Sequence, residues 1–94
     1  MNVSVVAYRE GAFWVAQCVE YDIAARADTI EKAMKAFERA FAANILVNHE
    51  IGREALDGIP PAPDRFKAMF EQARRDQRIP RPRPVRDLRV VEAA

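Results

Sequence analysis

The sequence predicts an α+β domain. It has a three-stranded antiparallel meander with a long helix on one face, a second helix, and a candidate fourth strand near the C-terminus. Three observations predict it. Residues 3–8 and 13–20 are rich in Val and aromatic residues and are separated by turn formers. Ile30, Ala33, Met34, Phe37, Ala40, Phe41 and Ile45 recur at helical spacing. Successive strands with short connections normally pair side by side, and such a sheet needs a helix to bury its apolar face.

The elements follow in order. Val3, Val5 and Ala7 alternate with Ser4, Val6 and Tyr8, a period of two. Glu10-Gly11 then supplies a turn, because Gly accepts positive φ at little steric cost. Phe13 to Glu20 resumes the strand pattern, Tyr21-Asp22 makes a second turn, and Ile23 to Ala27 forms a third, weaker strand. Asp28 is the expected N-cap of the long helix. Glu31, three residues on, completes a capping-box arrangement with Asp in place of Ser or Thr. Glu31, Lys32, Lys35, Glu38 and Arg39 line the polar side, and Asn44 alone breaks the apolar stripe. Past Val47 the stripe fades through Asn48-His49-Glu50, with Gly52 or Gly58 as the latest end.

The second half divides into a Pro-rich connection (50–63), a second helix (64–78) and an Arg/Pro segment with the candidate last strand (79–94); the sheet and main helix occupy 1–49. Ile59-Pro60-Pro61-Ala62-Pro63 is extended, since each Pro pushes its predecessor out of the α region. Asp64 caps the second helix, which carries Phe66, Met69, Phe70 and Ala73 on one face. Arg74, Arg75 and Arg78 stand near its end, where cations complement the helix dipole. Pro80, Pro82 and Pro84 stop it. Arg86 to Val91 alternates charged and apolar residues, as a sheet-edge strand does.

Ninety-four residues make one domain with a modest core. No run of 18 apolar residues marks a membrane span, and MNVSVVAYRE lacks the basic and apolar regions of a signal peptide, so a cytoplasmic location is expected. One cysteine rules out an internal disulfide framework and a cysteine-rich zinc site. Charge is uneven. Residues 1–63 hold six Lys/Arg against nine Asp/Glu, and residues 64–89 hold nine against four. An acidic first half suits a basic partner, and a basic second half suits an acidic partner or RNA.

Within 13–33, Phe13-Trp14-Val15-Ala16-Gln17-Cys18, the acidic turn Glu20-Tyr21-Asp22, the strand end Asp28-Thr29 and the helix opening Ile30-Glu31-Lys32-Ala33 form one run. This run resembles the HicB antitoxin family over roughly the first half of the chain. It departs from the family's usual Pro-Gly turn at Tyr21-Asp22-Ile23, and has Ala27 where members carry Gly. The resemblance implies a partial ribonuclease H-like fold and a protein that masks a small basic ribonuclease toxin by occlusion. It makes Trp14, Glu20, Tyr21 and Asp22 the expected toxin contact, through aromatic anchors and charge complementarity.

Other chemistry is thinly supplied. No catalytic residue, metal site or cofactor is expected. His49 stands without acidic ligands at metal spacing, and Cys18 has no neighbouring base, so it reads as a strand thiol. Glu20, Asp22 and Asp28 cluster in sequence, but a cap and a turn account for them; a metal-dependent nuclease would have to lose activity on substitution of Asp22. A single helix followed by prolines is not a helix-turn-helix, so sequence-specific DNA binding is not expected. Two alternative readings are a solitary homo-oligomeric module and a weak RNA binder. The first would associate through a strand edge or the Phe66/Met69/Phe70 face. The second would use Arg74, Arg75, Arg78, Arg81 and Arg83, with steep salt dependence.

Overall fold

The computed structural model describes residues 2–50, 56, 58–76 and 87–93. Three strands come first: β1 (Asn2–Glu10), β2 (Phe13–Cys18) and β3 (Ala24–Ala27). Helix α1 (Ile30–Glu50), helix α2 (Asp64–Asp76) and strand β4 (Asp87–Glu92) follow. The four strands form one sheet in the order β3-β2-β1-β4. The first three pair antiparallel, as a meander should, with Val5 opposite Cys18 and Ala16 opposite Ala25. Gly11 sits at φ 62° in the first turn, the left-handed conformation that favours glycine.

β4 completes the sheet by pairing parallel to β1, with Val5 opposite Val90 and Val6 opposite Val91. β1 therefore becomes an interior strand. Val3, Ser4, Val5, Val6 and Ala7 are all buried, on both faces. Simple alternation predicts one buried face only. The difference has a cause: a strand covered on both faces reads as a nearly continuous apolar run, and VSVVA is one.

Each face has its own helix. α1 lies on β2 and β3, and its Ala33, Met34 and Phe37 pack with Val3, Val5, Ala16, Cys18 and Val90. α2 lies against β1 and β4 on the opposite face, where Phe66, Phe70 and Ala73 meet Val6 and Val91. Burying one such phenylalanine contributes about 1.5–3 kcal/mol. This packing also takes Phe66 and Phe70 out of solvent, so two of the three residues of the face considered for self-association are already covered by the chain's own sheet.

The Pro-rich connection carries the chain from one face to the other. Ile59 packs on the α1 side and Ala62 on the α2 side. Between them the chain runs along the turn after β2. The Asp22 N–H donates to the Pro60 carbonyl at 2.7 Å, and the Ala62 N–H donates to the Val19 carbonyl at 3.1 Å. The prolines lack N–H groups, so Pro60 takes part through its carbonyl and Ala62 supplies the N–H. Just before it, buried Leu56 takes φ 63°, a strained conformation for a non-glycine residue, held by insertion of its side chain into the α1 layer.

Two helix starts differ from the sequence expectation. Thr29, not Asp28, caps α1: its Oγ1 accepts the Lys32 N–H at 3.1 Å. Asp28 instead stands 3.4 Å from the Lys32 ammonium. Both residues are good caps, and the helix begins one residue later than the Asp28 reading requires. Asp64 lies inside the first turn of α2, which opens with the Phe66 N–H donating to the Pro63 carbonyl at 3.0 Å. Asn44 resolves its place in the apolar stripe by donating to the Ala40 carbonyl at 2.8 Å.

Candidate functional site

α2 covers β1 and β4 but stops short of β2 and β3, and that leaves a groove on its face of the sheet. The register builds the floor. Tyr8, Val15 and Arg26 lie in one row across β1, β2 and β3, and Val6, Gln17 and Ala24 lie in the next. Pro63, Arg65 and Phe66 at the start of α2 form one wall, and Asp22 stands at the end near the turn. The groove is open to solvent and has a volume of about 430 Å³.

Its floor mixes ring faces and polar groups. Tyr8 packs on Phe66 with centroids 5.9 Å apart. Burial, with a smaller contribution from the Glu10 carboxylate, pushes the Tyr8 phenol above its ordinary value, while Arg65 opposes the shift. The phenol is therefore a neutral donor at physiological pH. Gln17 is only 5 % exposed. Its Nε2 donates to the Cys18 carbonyl at 3.0 Å and to Asp22 Oδ1 at 3.1 Å. At the far end Arg26 is 3.9 Å from Glu10 and lies 5.1 Å over the Phe13 ring. The Arg65 guanidinium lies 4.8 Å over Phe66.

The residues marked from sequence for partner contact do not gather in one place. Trp14 is half-buried on the α1 side near the Gly11 turn, next to Ala27, with the Arg9 guanidinium 6.0 Å above its ring. Tyr21 is half-buried against the same layer at the opposite end of β2. Asp22 is exposed and belongs to the groove. Glu20 serves the sheet. Its Oε1 accepts the Ser4 N–H at 2.7 Å and the Cys18 thiol at 3.8 Å, and its Oε2 lies 3.9 Å from Arg89. Arg89 also donates to Ser4 Oγ at 2.8 Å, so this carboxylate links the β2 turn, β1 and β4.

Cys18 is fully buried, and burial raises its thiol above the ordinary range, so it is a poor nucleophile. The three carboxylates are dispersed: Glu20 on Ser4, Asp22 on Gln17, Asp28 on Lys32. Among the described residues, no group of three His, Cys, Asp or Glu side chains could hold a metal ion. Arg74 donates to Glu71 at 3.0 Å and Arg75 to Gln72 at 2.9 Å. Arg78, Arg81 and Arg83 lie outside the described residues, as do Pro80, Pro82 and Pro84.

The sheet and α1 keep an acidic excess. Seven acidic and five basic residues fall between positions 2 and 50, and β4 adds Asp87 and Glu92 against Arg89. The groove and the Gln17–Asp22 bond were not readable in advance. The signal that could have found them is Gln17 itself, a lone polar residue between Ala16 and Cys18 in an otherwise buried strand. In comparison with known proteins, the chain matches no family model, no curated protein and no solved structure.

Proposed function

We propose that this chain is a HicB-like antitoxin or antitoxin-derived binding protein that masks a small basic ribonuclease toxin by occlusion. The observation that carries the reading is the turn after β2. Val19 and Asp22 are bonded to the Pro-rich stretch, and Glu20 is bonded to β1. Tyr21 and Asp22 are thus displayed on a backbone fixed from two sides, and a surface ordered beforehand loses less entropy on binding. The strands, turn and helix that bear the HicB resemblance form one contiguous unit of sheet and α1. That unit carries more acidic than basic residues, so charge complementarity to a basic partner adds to occlusion. Tyr21 and Asp22 are the anchors at the turn, Trp14 is a separate contact at the other end of β2, and Glu20 is the residue that holds the turn.

The test is co-purification of the full chain from its native host, followed by reconstitution. A stoichiometric small basic protein, ribonucleolytic when freed and silenced when this chain is restored, is the expected result. Joint replacement of Tyr21 and Asp22 by Ala should weaken that complex by at least about tenfold. Recovery of the chain alone, or a complex indifferent to Tyr21 and Asp22, overturns the reading.

A further inference from the structure

We propose that the Gln17–Asp22 end of the groove is a receptor for a basic side chain, guanidinium or ammonium, presented by a protein partner. The inference deepens the partner-binding reading above and rests on it for the nature of the partner.

Gln17 carries the first part of the argument. Both partners of its Nε2, the Cys18 carbonyl and the Asp22 carboxylate, can only accept. The orientation of the amide is therefore fixed, and Oε1 is the acceptor that remains. Gln17 is 95 % buried, lines the groove, and has no donor on Oε1 among the described residues. An acceptor with no protein donor that borders an open groove is free to take an N–H from a ligand in place of solvent. A ligand N–H entering the groove would meet that acceptor beside the Asp22 carboxylate.

Asp22 carries the second part. It is exposed at the mouth, and one carboxylate oxygen takes the Gln17 amide. Among the described residues it has no cationic partner, unlike Glu10, which faces Arg26, and Glu20, which faces Arg89. The free valences at this end are thus two acceptors and a negative charge. A guanidinium offers several N–H donors in a flat fork and can reach a carboxylate and a neighbouring carbonyl together. Val15, Ala24, Pro63 and Phe66 provide apolar surface for its stem. The volume of about 430 Å³ admits one such side chain with its backbone.

The groove also contains two arginines, and they sharpen the test. Arg26 is matched by Glu10 at the far end. Arg65 has no carboxylate partner among the described residues and sits on Phe66. A bound cation must therefore tolerate Arg65, whereas a bound anion would depend on it. The two possibilities respond with opposite sign to the same substitution.

The experiment titrates N-acetyl-argininamide into the isotopically labelled full chain and follows the Gln17 side-chain amide with the backbone amides of Val15 and Ala24 by NMR. Saturable shifts at those three positions are expected. The neutral isostere N-acetyl-citrullinamide should bind at least about tenfold more weakly, and Asp22→Asn should weaken the arginine probe by a similar factor. Arg65→Ala should leave its affinity unchanged or tighten it. The spectra themselves report whether each variant remains folded. No saturable shift, equal binding of the citrulline probe, or loss of binding in Arg65→Ala overturns the proposal. So does preferential binding of N-acetyl-glutamamide. The titration needs no toxin, so failure to find a toxin and failure of the groove are separate results.

Discussion

On one face of the sheet α1 crosses β2 and β3, and its layer extends to Val3, Val5 and Val90. On the other face α2 crosses β1 and β4 only, and Val15, Gln17, Ala24 and Arg26 of β2 and β3 line an open groove. The closed side combines small residues that let the helix approach, Ala16, Ala25, Ala27 and Ala33, with the fully buried ring of Phe37 and the partly buried rings of Phe41, Trp14 and Tyr21. The half-open side relies on Phe66 and Phe70 from a shorter helix. The difference separates two duties. The α1 side supplies most of the packed core, and the α2 side has spare sheet surface on which polar groups can be displayed.

The strongest test of that division is a pair of truncations. Phe37→Ala should cost about 3–5 kcal/mol, because the ring is fully buried and its layer has little room to collapse. Phe70→Ala should fall at or below the low end of that range, since the neighbouring groove gives the α2 layer freedom to relax. Urea unfolding of both variants decides it, and a larger loss for Phe70→Ala would reverse the assignment of duties. Next comes the carboxylate that joins the two sides. Glu20→Ala strands the Ser4 N–H and should cost about 1–3 kcal/mol, whereas Glu20→Gln keeps an acceptor and should cost less. Equal losses would mean that the Ser4 bond is not what Glu20 provides.

The helix starts sharpen the contrast further. Thr29→Ala removes the cap of α1 and should cost about 1 kcal/mol. Asp28→Ala removes only an exposed ion pair and should stay within about 0.5 kcal/mol. The order would be inverted if Asp28 were the working cap. The smallest effect at neutral pH belongs to Cys18. Its thiol is raised in the fold, so it is neutral in both states below the ordinary thiol value of about 8.5 and contributes no pH dependence there. Above that pH the unfolded chain releases the proton first, and stability falls as pH rises. Cys18→Ala should flatten this alkaline decline in a pH series of unfolding midpoints. In the native protein the thiol should also resist alkylation until the chain is unfolded.

What the sequence discloses and what it withholds follow from the range of the interactions. β1, β2, β3 and α1 were legible because period-two and period-3.6 patterns, Gly11 and the capping residues are local signals. α2 was legible for the same reason, through Phe66, Met69, Phe70 and Ala73. The choice between Asp28 and Thr29 was not, because adjacent residues with equal capping chemistry differ only in where the helix begins. The burial of Ser4 and Val6 depends on β4 and α2, which lie far along the chain. The groove depends on where α2 stops across the sheet, and no local pattern encodes that. Glu20 looked like a surface acid because its acceptor role exists only once Ser4 lies beside it, 16 residues away.

The pairing of β1 with β4 has a consequence in time. One edge of β1 is met by β2 across a short hairpin, and the other by a strand 85 residues distant, as the Arg89–Ser4 bond shows. Loop closure over such a distance is slower than hairpin formation. During folding, then, the Val3–Ala7 stretch spends an interval with its outer backbone groups unclaimed, inside the most apolar run of the sheet. In that interval another chain's strand can compete for the same edge. The latch of Arg89 onto Ser4 and Glu20 ends the competition. Slowing the arrival of β4 should therefore raise aggregation during refolding more than it lowers the stability of the finished protein.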